Sequence, residues 1–448
     1  MNVDIIILAA GKGTRMQPPL PKVLQTLGHK SLLQHLVDTC ADIKQSKLHI
    51  IVGDQKELVK KVTSVPKSTN WVNQKKQLGT GHAVKQALKQ LRPNACCLVL
   101  YADGPLVTAN TLKKLIKAAG KDNLSLLTFE PVSPKGLGRI IRNDKKQIQK
   151  ITEEKDASSQ EKLIKEVNSG ILATSSKNFK TWLPKIKNKN ASKEYQLTDI
   201  IAFAVNDQKK INAINLGNTN ELLAANDALE LHNLEKIYQK NIAEKFIKKG
   251  VKFADINRVD FRGEVEIKAG TFVDNNVIFE GTVLIGKDCK IGSGSIIKNA
   301  TLKDNVEIEP FTIIENSKVG TNAKIGPFAH VGPGTTLEDE AEIGNFVEVK
   351  RSVIGKKTKA KHLAYIGDGM VSDQVNIGAG TIFVNYDGKN KNKTIVGTKA
   401  FIGSNSSLVA PLKIGKNSMI GAGSVVTSDV PENKLALGRS RQKNIKRK

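Results

Sequence analysis

The first half of the chain alternates short apolar runs with amphipathic segments. The apolar runs predict buried strands at residues 3–10, 49–52, 95–101 and 124–129, and helical spacing predicts a helix at residues 111–120. Alternation of strands and helices is typical of a mostly parallel sheet covered by helices. Ligands of such sheets bind beyond the carboxyl ends of the strands, so the residues that follow these strands are candidates for a site.

A longer helical pattern occupies the middle of the chain. Apolar side chains follow helical spacing between residues 221 and 250, and Gly250 is a natural stop. We interpret residues 226–250 as a connecting helix. It separates a first domain at residues 1–225 from a second at residues 251–448.

The second domain has a different pattern, in which aliphatic side chains recur every sixth residue. One unbroken series consists of Val319, Ile325, Val331, Leu337, Ile343 and Val349. A period of six is typical of a parallel β-helix built from hexapeptide repeats, in which three short strands close each coil. The repeat breaks between residues 379 and 393, where a loop must project outward. Such loops often carry function.

Composition narrows the class of protein. The 448 residues include 70 Lys and Arg against 43 Asp and Glu, a net charge of +27. Lysine dominates the cations and aromatic residues make up only 4%, whereas proteins that read nucleic acids enrich arginine and stacking aromatics. We therefore interpret most of the charge as a solvated surface and expect no nucleic-acid partner. A polyanion-binding scaffold is the non-enzymatic alternative.

Membrane insertion and disulfide chemistry are not expected. No apolar run approaches the ~20 residues that span a bilayer, and no signal peptide precedes the first strand. The four cysteines, Cys40, Cys96, Cys97 and Cys289, show no paired spacing. A reducing, cytoplasmic environment fits this pattern.

A glycine-containing loop follows the first predicted strand. Gly11 and Gly13 allow the backbone to approach a ligand closely, and successive N–H groups there can hold phosphate oxygens. Lys12, Arg15 and Lys22 add positive charge. The alternative is an ordinary turn between a strand and a helix.

Two further segments suit a nucleotide and a metal. Residues 77–83 (QLGTGHA) form a second glycine-rich loop at the start of a predicted helix. Asp103 ends a predicted strand, and Mg²⁺ prefers one or two carboxylates together with substrate phosphates. The alternative for Asp103 is a cap of a turn or helix.

Together these segments resemble a known family. LAAGKGTRM at residues 8–16, PKVL at 21–24, QLGTGHA and the hexapeptide repeats resemble the sugar-nucleotide pyrophosphorylases. The match is closest to the bifunctional bacterial N-acetylglucosamine-1-phosphate uridyltransferases/glucosamine-1-phosphate N-acetyltransferases. The resemblance covers nearly the whole chain. It implies an α/β fold, with an N-terminal Rossmann-like nucleotidyltransferase domain joined by a helix to a C-terminal left-handed parallel β-helix.

The resemblance implies roles in uridyl transfer from UTP, with release of pyrophosphate. Arg15 and Lys22 would be catalytic, and Asp103 and Asn226 would hold Mg²⁺. The nucleotide would contact Leu8, Ala9, Ala10, Gly11, Lys22, Gln74, Gly79, Thr80, Tyr101, Ala102 and Asp103. The sugar phosphate would contact Gly138, Glu153, Asn168 and Asn226.

The resemblance also implies acetyl transfer from acetyl-CoA to glucosamine-1-phosphate. His362 would be the general base, since a neutral imidazole is suited to accept the proton of the sugar amine. The amino-sugar phosphate would contact Lys350, Tyr365, Asn376 and Lys391. Acetyl-CoA would contact Ala379, Asn385, Tyr386, Ser404, Ala422 and Arg439. Asn385 and Ser404 are also candidates for stabilising the tetrahedral oxyanion.

The chain departs from the family pattern at two places. Ala102 stands where the family usually has Gly, which is a small change in a tight loop. Gly332 stands where the family commonly has an Arg that binds the sugar phosphate. His330 and Arg351 are candidate substitutes for that arginine.

The resemblance implies a homotrimer whose acyl-transfer sites lie between subunits. The partners would then be the small molecules UTP, acetyl-CoA and glucosamine-1-phosphate. The runner-up interpretation is a monofunctional nucleotidyltransferase with a structural β-helix. His362 and the loop that carries Asn385 and Tyr386 disfavour it, since an inert β-helix needs neither.

Overall fold

The computed structural model describes residues 1–11, 13, 16, 20–445 and 447. The chain divides into two compact units, Met1–Tyr238 and Gln239–Lys448. Each unit has its own buried apolar core.

The first unit combines strands and helices. Its strands are β1 Val3–Ala9, β2 Thr26–Leu27, β3 Lys30–Ser31, β4 Ser46–Val52, β5 Asn70–Asn73, β6 Cys96–Tyr101, β7 Leu124–Phe129, β8 Arg139–Arg142, β9 Ile148–Thr152, β10 Val167–Ser175 and β11 Ile211–Asn215. Its helices are α1 Leu32–Ala41, α2 Lys56–Val62, α3 Thr80–Ala87, α4 Ala109–Ala119, α5 Ser176–Trp182 and α6 Ile200–Asn206. Short 3₁₀ turns lie at Lys22–Leu24, Leu88–Gln90, Glu161–Leu163, Leu183–Lys185 and Leu197–Asp199.

The main sheet has the order β11-β7-β10-β6-β1-β4-β5. The pairs β1–β4, β1–β6, β4–β5 and β7–β11 are parallel, which confirms the predicted mostly parallel sheet. β10 is the exception, since it runs antiparallel between β6 and β7 and also pairs with β8. β1 is apolar on both faces because apolar cores lie on both sides of the sheet.

Local sequence signals explain the bounds of α4. The Thr108 side chain accepts a hydrogen bond from the backbone N–H of Thr111 and so caps the first turn. Gly120 follows the last turn with a φ of 55°, a conformation that glycine adopts at little cost. The helix predicted at residues 111–120 is therefore Ala109–Ala119.

The second unit is a parallel β-helix, as the hexapeptide period predicts. Its strands fall into three columns, within which each strand pairs in parallel with the equivalent strand one coil further along. The first column consists of Lys252–Phe253, Phe272–Val273, Lys290–Ile291, Glu307–Ile308, Lys324–Ile325, Glu342–Asn345, Lys359–His362, Asn376–Ile377, Phe401–Ile402, Met419–Ile420 and Leu435–Ala436. The long strands Val259–Ile267 and Val277–Ile285 begin both other columns.

The second column continues from these long strands. It consists of Ile296–Lys298, Ile313–Glu315, His330–Val331, Glu348–Lys350, Tyr365–Gly367, Ile382–Val384, Ser407–Val409 and Val425–Val426. The third column consists of Thr301–Leu302, Lys318–Val319, Thr336–Leu337, Val353–Ile354, Gly369–Val371, Thr394–Val396 and Leu412–Ile414. The left-handed winding implied by the resemblance stays a prediction.

The repeated aliphatic side chains form the core of the β-helix. Val319, Ile325 and Val331 are at most 2% exposed, while their neighbours Lys318 and Lys324 point to solvent. Each buried residue therefore packs on its equivalents in the coils before and after it, so stability comes from neighbouring coils.

The repeat is interrupted where the sequence predicts it. The residue opposite Tyr365 in the next coil is Ile382, 17 positions later, but the residue opposite Ile382 is Ser407, 25 positions later. The additional residues form a loop after Val384. Within it Tyr386 and Lys391 pair as an antiparallel bridge, and the Asp387 carboxylate accepts hydrogen bonds from the backbone N–H groups of Lys389 and Asn390.

The connecting helix, α7, is Ala228–Ile247. The division between the two units falls inside it, after Tyr238. Leu234 packs with Leu27 and Leu32 in the first unit, and Phe246 joins the core of the second. The domain limits proposed from the sequence, at residues 225 and 250, stay predictions.

No helix in the described part of the chain is long and apolar enough to cross a membrane. All four cysteines are buried and form no disulfide. Burial raises the pKa of Cys40 and of Cys96 to about 12. These thiols are therefore structural rather than reactive.

The inward and outward positions of the β-helix predict unequal effects on stability. Ile314 is fully buried, and its neighbour Ile313 is 39% exposed. Because Ile314→Ala leaves a cavity, we expect it to lower the free energy of unfolding by about 2–5 kcal/mol. The matched variant Ile313→Ala should cost less than about 1 kcal/mol. Urea unfolding followed by circular dichroism at one protein concentration measures both, and equal losses would contradict the assignment.

Candidate active sites

A cavity of about 500 Å³ opens at one edge of the main sheet of the first unit. It is lined by Leu8, Ala10, Gly11, Lys22, Val23, Gln74, Gln77, Gly79, Thr80, Ala83, Tyr101, Asp103 and Glu194. Leu8 lies opposite Tyr101 in the parallel pair β1–β6, so the turns after both strands leave the sheet at this edge. Two predicted residues, Lys12 and Arg15, lie outside the described part of the chain.

Lys22 contacts two other predicted site residues, Asp103 and Asn226. Its ammonium nitrogen lies 2.5 Å from an Asp103 carboxylate oxygen and 2.9 Å from the Asn226 side-chain oxygen. The Lys22 side chain is only 11% exposed. A cation therefore already lies between one carboxylate and one amide oxygen. Oxygen donors of this kind are those that Mg²⁺ selects, so the donor set fits the implied metal.

No other cluster in the described residues suggests a metal. Nowhere among them do three or more His, Cys, Asp or Glu side chains lie together as a metal would require. Any metal in the first unit would thus take most of its ligands from substrate or water.

The Gln74 side chain is held at the wall of the cavity. Its amide nitrogen lies 3.2 Å from the Gly79 carbonyl oxygen and 3.0 Å from His82 Nδ1. Desolvation lowers the pKa of His82, which favours the neutral ring. Gly79 has a φ of +114°, a backbone conformation that suits glycine. The second glycine-rich loop is therefore fixed before a ligand arrives.

Two predicted nucleotide contacts are buried inside the sheet. Ala9 is 6% exposed and Ala102 is fully buried, and neither lines the cavity. The backbone N–H of Ala102 donates to the Leu8 carbonyl at 3.1 Å, which joins the two strand ends. These residues shape the cavity through the backbone.

Tyr101 and Thr80 lie at the inner wall of the cavity. The Thr80 hydroxyl accepts a hydrogen bond from the Leu197 N–H at 3.0 Å, which ties α3 to a distant turn. A Cβ atom at Gly170 would lie 2.6 Å from the Tyr101 ring, so the ring packs directly on that backbone. Desolvation raises the pKa of Tyr101, and its phenol stays neutral.

The residues predicted to hold the sugar lie beside this cavity. A Cβ atom at Gly138 would lie 3.2 Å from a Glu153 carboxylate oxygen. The Asn168 N–H donates to the Gly138 carbonyl at 2.8 Å, and the Thr198 hydroxyl donates to Glu153 at 3.1 Å. Desolvation raises the pKa of Glu153. Its neighbour Glu154 instead pairs with Arg139 at 2.8 Å.

Several residues of this region are absent from the sequence-based predictions. Val23, Gln77, Ala83 and Glu194 line the cavity, and Asp199 lies close enough to Glu153 for the Glu153 carboxylate to raise the pKa of Asp199. Gln77 belongs to the QLGTGHA segment, so that motif could have indicated it. Glu194 belongs to a loop and Asp199 to the 3₁₀ turn that follows it, and neither has a distinctive sequence pattern, so only the fold brings them here.

In the second unit, His362 lies at a corner of the β-helix. It ends the strand Lys359–His362, and its partner one coil earlier is Asn345. Ala379, Ser404 and Ala422 occupy the same corner in later coils, since Asn405 N–H donates to the Ala379 carbonyl and Gly423 N–H to the Ser404 carbonyl. His362 and three predicted acetyl-CoA contacts therefore share one edge.

Arg439 follows the same edge. A Cβ atom at Gly423 would lie 4.0 Å from the Arg439 side chain, next to the turn that holds Ala422. Tyr365, by contrast, lies in the second column, and Asn376 lies in the first. One chain thus places the predicted amino-sugar contacts on two faces that meet at the His362 corner. Lys391 and Tyr386 lie on the loop beyond them.

The space above Gly332 is filled by Lys350. A Cβ atom at Gly332 would lie 2.8 Å from Lys350 Cγ, so the missing arginine side chain is replaced by the stem of this lysine. The Lys350 ammonium lies 2.5 Å from Glu348, which raises the pKa of Lys350. His330 and Arg351, the candidate substitutes, also face acidic residues, Glu315 and Asp368.

An apolar ridge runs along the corner that holds His362. It consists of Phe311, Phe328, Phe346 and Leu363, which are 50–61% exposed. The three phenylalanine rings stack with centroids 5.2 and 5.5 Å apart. Exposed apolar ridges of this kind are typical of interfaces between proteins.

Three family models match parts of the chain. The MobA-like NTP transferase domain matches residues 5–155, and the GMPPB C-terminal domain matches residues 261–332. The bacterial transferase hexapeptide (six repeats) matches residues 316–351 and 393–428. Together these models describe both units.

Full-length relatives are also found. The chain is 44% identical over 443 residues to the bifunctional protein GlmU of Marinobacter nauticus, covering 99% of this chain and 97% of that protein. It is 45% identical over 448 residues to the bifunctional protein GlmU of Baumannia cicadellinicola, covering 99% and 95%. A solved structure of UDP-glucose pyrophosphorylase complexed with UDP-glucose matches 54% of this chain and 100% of its own, with 18% identity and a TM-score of 0.46.

The acidic neighbours of the first cavity predict a pH-dependent stability. Desolvation, together with Glu153 and Asp156, raises the pKa of Asp199 from 3.8 to about 6. A carboxyl with a raised pKa binds its proton more tightly in the folded state, so the stability it contributes is lost as pH rises from about 4 to about 6. Asp199→Asn should remove this part of the pH dependence.

Tryptophan fluorescence can follow this effect, because Trp71 and Trp182 both belong to the first unit. The variant should gain stability relative to the parent protein as pH rises through that window. Asp144→Asn, at an exposed position, is the matched control. A parallel pH profile for parent and Asp199→Asn would contradict the assignment.

Proposed function

The chain belongs to the family of bifunctional GlmU proteins, and we propose how its two units divide the synthesis of UDP-N-acetylglucosamine. The second unit transfers an acetyl group from acetyl-CoA to glucosamine-1-phosphate, and the first unit then joins the product to UTP. The observation that carries this proposal is the likeness over nearly the full length of the chain, which spans both units.

Uridyl transfer takes place in the cavity of the first unit. A phosphate oxygen of N-acetylglucosamine-1-phosphate attacks the α-phosphorus of UTP, a new P–O bond forms, and the bond to the departing pyrophosphate breaks. Negative charge grows on the leaving group, so positioning and charge neutralisation supply the catalysis. Lys22 is proposed for this role, and its position in the lining of the cavity supports it. Arg15 is proposed for the same role on sequence grounds.

Asp103 and Asn226 are proposed to hold Mg²⁺. The Lys22 ammonium between their oxygens supports this, because the site already attracts a cation. When bound, Mg²⁺ would neutralise phosphate charge and help align the reacting groups. Lys22 would remain available to phosphate once its two oxygen partners bind a metal.

The nucleotide is proposed to bind in the cavity and the sugar at the residues beside it. Gln74, Gly79 and Thr80 lie in the wall that the nucleotide would contact. Glu153 lies against Gly138, and Asn168 bonds to the same glycine, so both suit the hydroxyl groups of a sugar. The half-buried Glu153 carboxylate accepts one hydrogen bond from Thr198 and retains lone pairs for a ligand.

Acetyl transfer is proposed at the His362 corner. The neutral imidazole accepts a proton from the sugar amine while the nitrogen attacks the thioester carbonyl carbon. A C–N bond forms, the tetrahedral intermediate collapses, and the C–S bond to coenzyme A breaks. The thiolate leaves and takes up a proton. The shared edge with Ala379, Ser404 and Ala422 supports acetyl-CoA lying along this corner.

A homotrimer is proposed to complete the acetyl-transfer site. The amino-sugar contacts lie on two faces of one chain, so a neighbouring copy at the corner would enclose the substrate. The apolar ridge supports a second copy as its occupant, because it reaches Leu363, next to His362. Burying it would remove apolar surface from water and cover the site in one step.

Opposite single substitutions should separate the two activities. Asp103→Asn should abolish uridyl transfer, since it removes the only carboxylate bonded to Lys22 in the described residues, and should leave acetyl transfer unchanged. His362→Ala should abolish acetyl transfer and leave uridyl transfer unchanged. Free thiol and pyrophosphate are assayed separately with each substrate omitted in turn. Full uridyl transfer by Asp103→Asn would disprove the metal assignment.

The apolar ridge predicts a link between assembly and acetyl transfer. Phe328→Asp puts a charge in the ridge and should convert the trimer to monomer in sedimentation experiments, because burying an unpaired carboxylate is costly. Acetyl transfer should fall with it while uridyl transfer persists. Phe272→Asp, at an exposed phenylalanine outside the ridge, is the control. A trimer that survives Phe328→Asp would contradict the proposed interface.

A further inference from the structure

Three polar residues stack at one corner of successive coils beside the proposed acetyl-transfer site. Arg351, Asp368 and Asn385 follow one another at steps of 17 residues. Both Arg351–Asp368 hydrogen bonds are 2.8 Å long and bind the two carboxylate oxygens separately. The Asn385 side-chain nitrogen donates to Asp368 at 2.5 Å. Asp368 thus joins a cation on one side to a proposed substrate contact on the other.

The cluster is shielded from water at Asp368 and Asn385, while the Arg351 side chain is 38% exposed. The Asp368 side chain is 13% exposed, and Asn385 is 6% exposed. The hydrogen bonds from Arg351 hold the pKa of Asp368 below its usual value, so the carboxylate stays charged. A two-point pair between guanidinium and carboxylate fixes both groups in orientation as well as distance.

The cluster of Arg351, Asp368 and Asn385 also contacts Tyr365. A Cβ atom at Gly367 would lie 2.6 Å from the Asn385 amide nitrogen and 2.6 Å from the Tyr365 hydroxyl. These two atoms therefore converge above Gly367. Arg351 hydrogen-bonds to both Asp368 and Tyr365, and these bonds raise the pKa of Arg351.

These contacts argue against Arg351 as a substitute for the arginine absent at Gly332. Its guanidinium is committed to a carboxylate at two points, and a phosphate would have to displace that partner. Lys350, whose stem lies over Gly332, is bonded to Glu348 through a single ammonium and can reorient more readily.

We propose that Arg351 and Asp368 are positioning residues for acetyl transfer, which hold Asn385 and Tyr365 in place without touching the substrate. The inference rests on the proposed acetyltransferase function of this unit. Loss of the carboxylate would free the Asn385 amide to rotate, and a small misplacement of a contact residue can lower a rate by about 100-fold.

A double-mutant cycle on the full chain tests this role. Asp368→Asn keeps the size of the side chain but gives up the two-point pair, and it should lower kcat for acetyl transfer about 10- to 100-fold. The circular-dichroism spectrum should stay unchanged, which shows that the β-helix is folded. In an Asn385→Ala background, Asp368→Asn should have a much smaller effect, because Asp368 bonds directly to Asn385 while Tyr365 is bonded to Arg351.

A second pair of variants separates positioning from phosphate binding. Arg351→Lys should lower kcat with little change in the Michaelis constant for glucosamine-1-phosphate. Glu280→Gln, which removes a carboxylate paired with Lys298 between two other coils, is the matched control and should leave acetyl transfer unchanged.

Three results would overturn the proposal. These are an unchanged kcat in Asp368→Asn, effects of Asp368→Asn and Asn385→Ala that simply multiply, and a raised Michaelis constant for glucosamine-1-phosphate as the main effect of Arg351→Lys. Failure of the proposed function itself is seen separately, as absence of thiol release by the unaltered protein.

Discussion

Parallel, in-register strand pairing is the constraint on which both units depend. In the first unit it places the ends of β1 and β6 side by side, so the loops that follow them face one cavity. Asn226 reaches this place from 204 residues beyond Lys22. In the second unit the same kind of pairing stacks residues 17 or 18 positions apart, so one corner repeats through successive coils. In both units, strand register therefore decides which candidate site residues lie together.

Ion pairs at the candidate sites are a second recurring feature of the structure. The net charge of +27 suggests an excess of free cations, yet three cations at the candidate sites are bonded to carboxylates. Lys22 pairs with Asp103, Lys350 with Glu348, and Arg351 with Asp368. Lys22 and Lys350 lie where an anionic substrate is proposed to bind, whereas Arg351 is proposed to hold Asn385 in place. Position, rather than total charge, therefore decides which cations can serve a phosphate.

The sequence predicts the architecture well because both patterns are local. Apolar runs followed by glycine loops indicate the parallel sheet. The period of six indicates the β-helix, and the aliphatic side chains at that spacing, such as Val319, Ile325 and Val331, are buried. β10 is different. It runs antiparallel inside the sheet, because strand direction follows from how the chain returns to the sheet and leaves no mark on the apolar pattern of the strand itself.

What the sequence determines by itself is the class of each element and the family of the chain, since both are encoded in spacing between near neighbours. The tertiary structure alone decides which distant side chains meet. It brings Asn226 to Lys22, Asp199 to Glu153, and Asp368 between Arg351 and Asn385. These contacts depend on burial and on register summed over many residues. The free energy that fixes them comes from the whole core, so no short segment carries their signature.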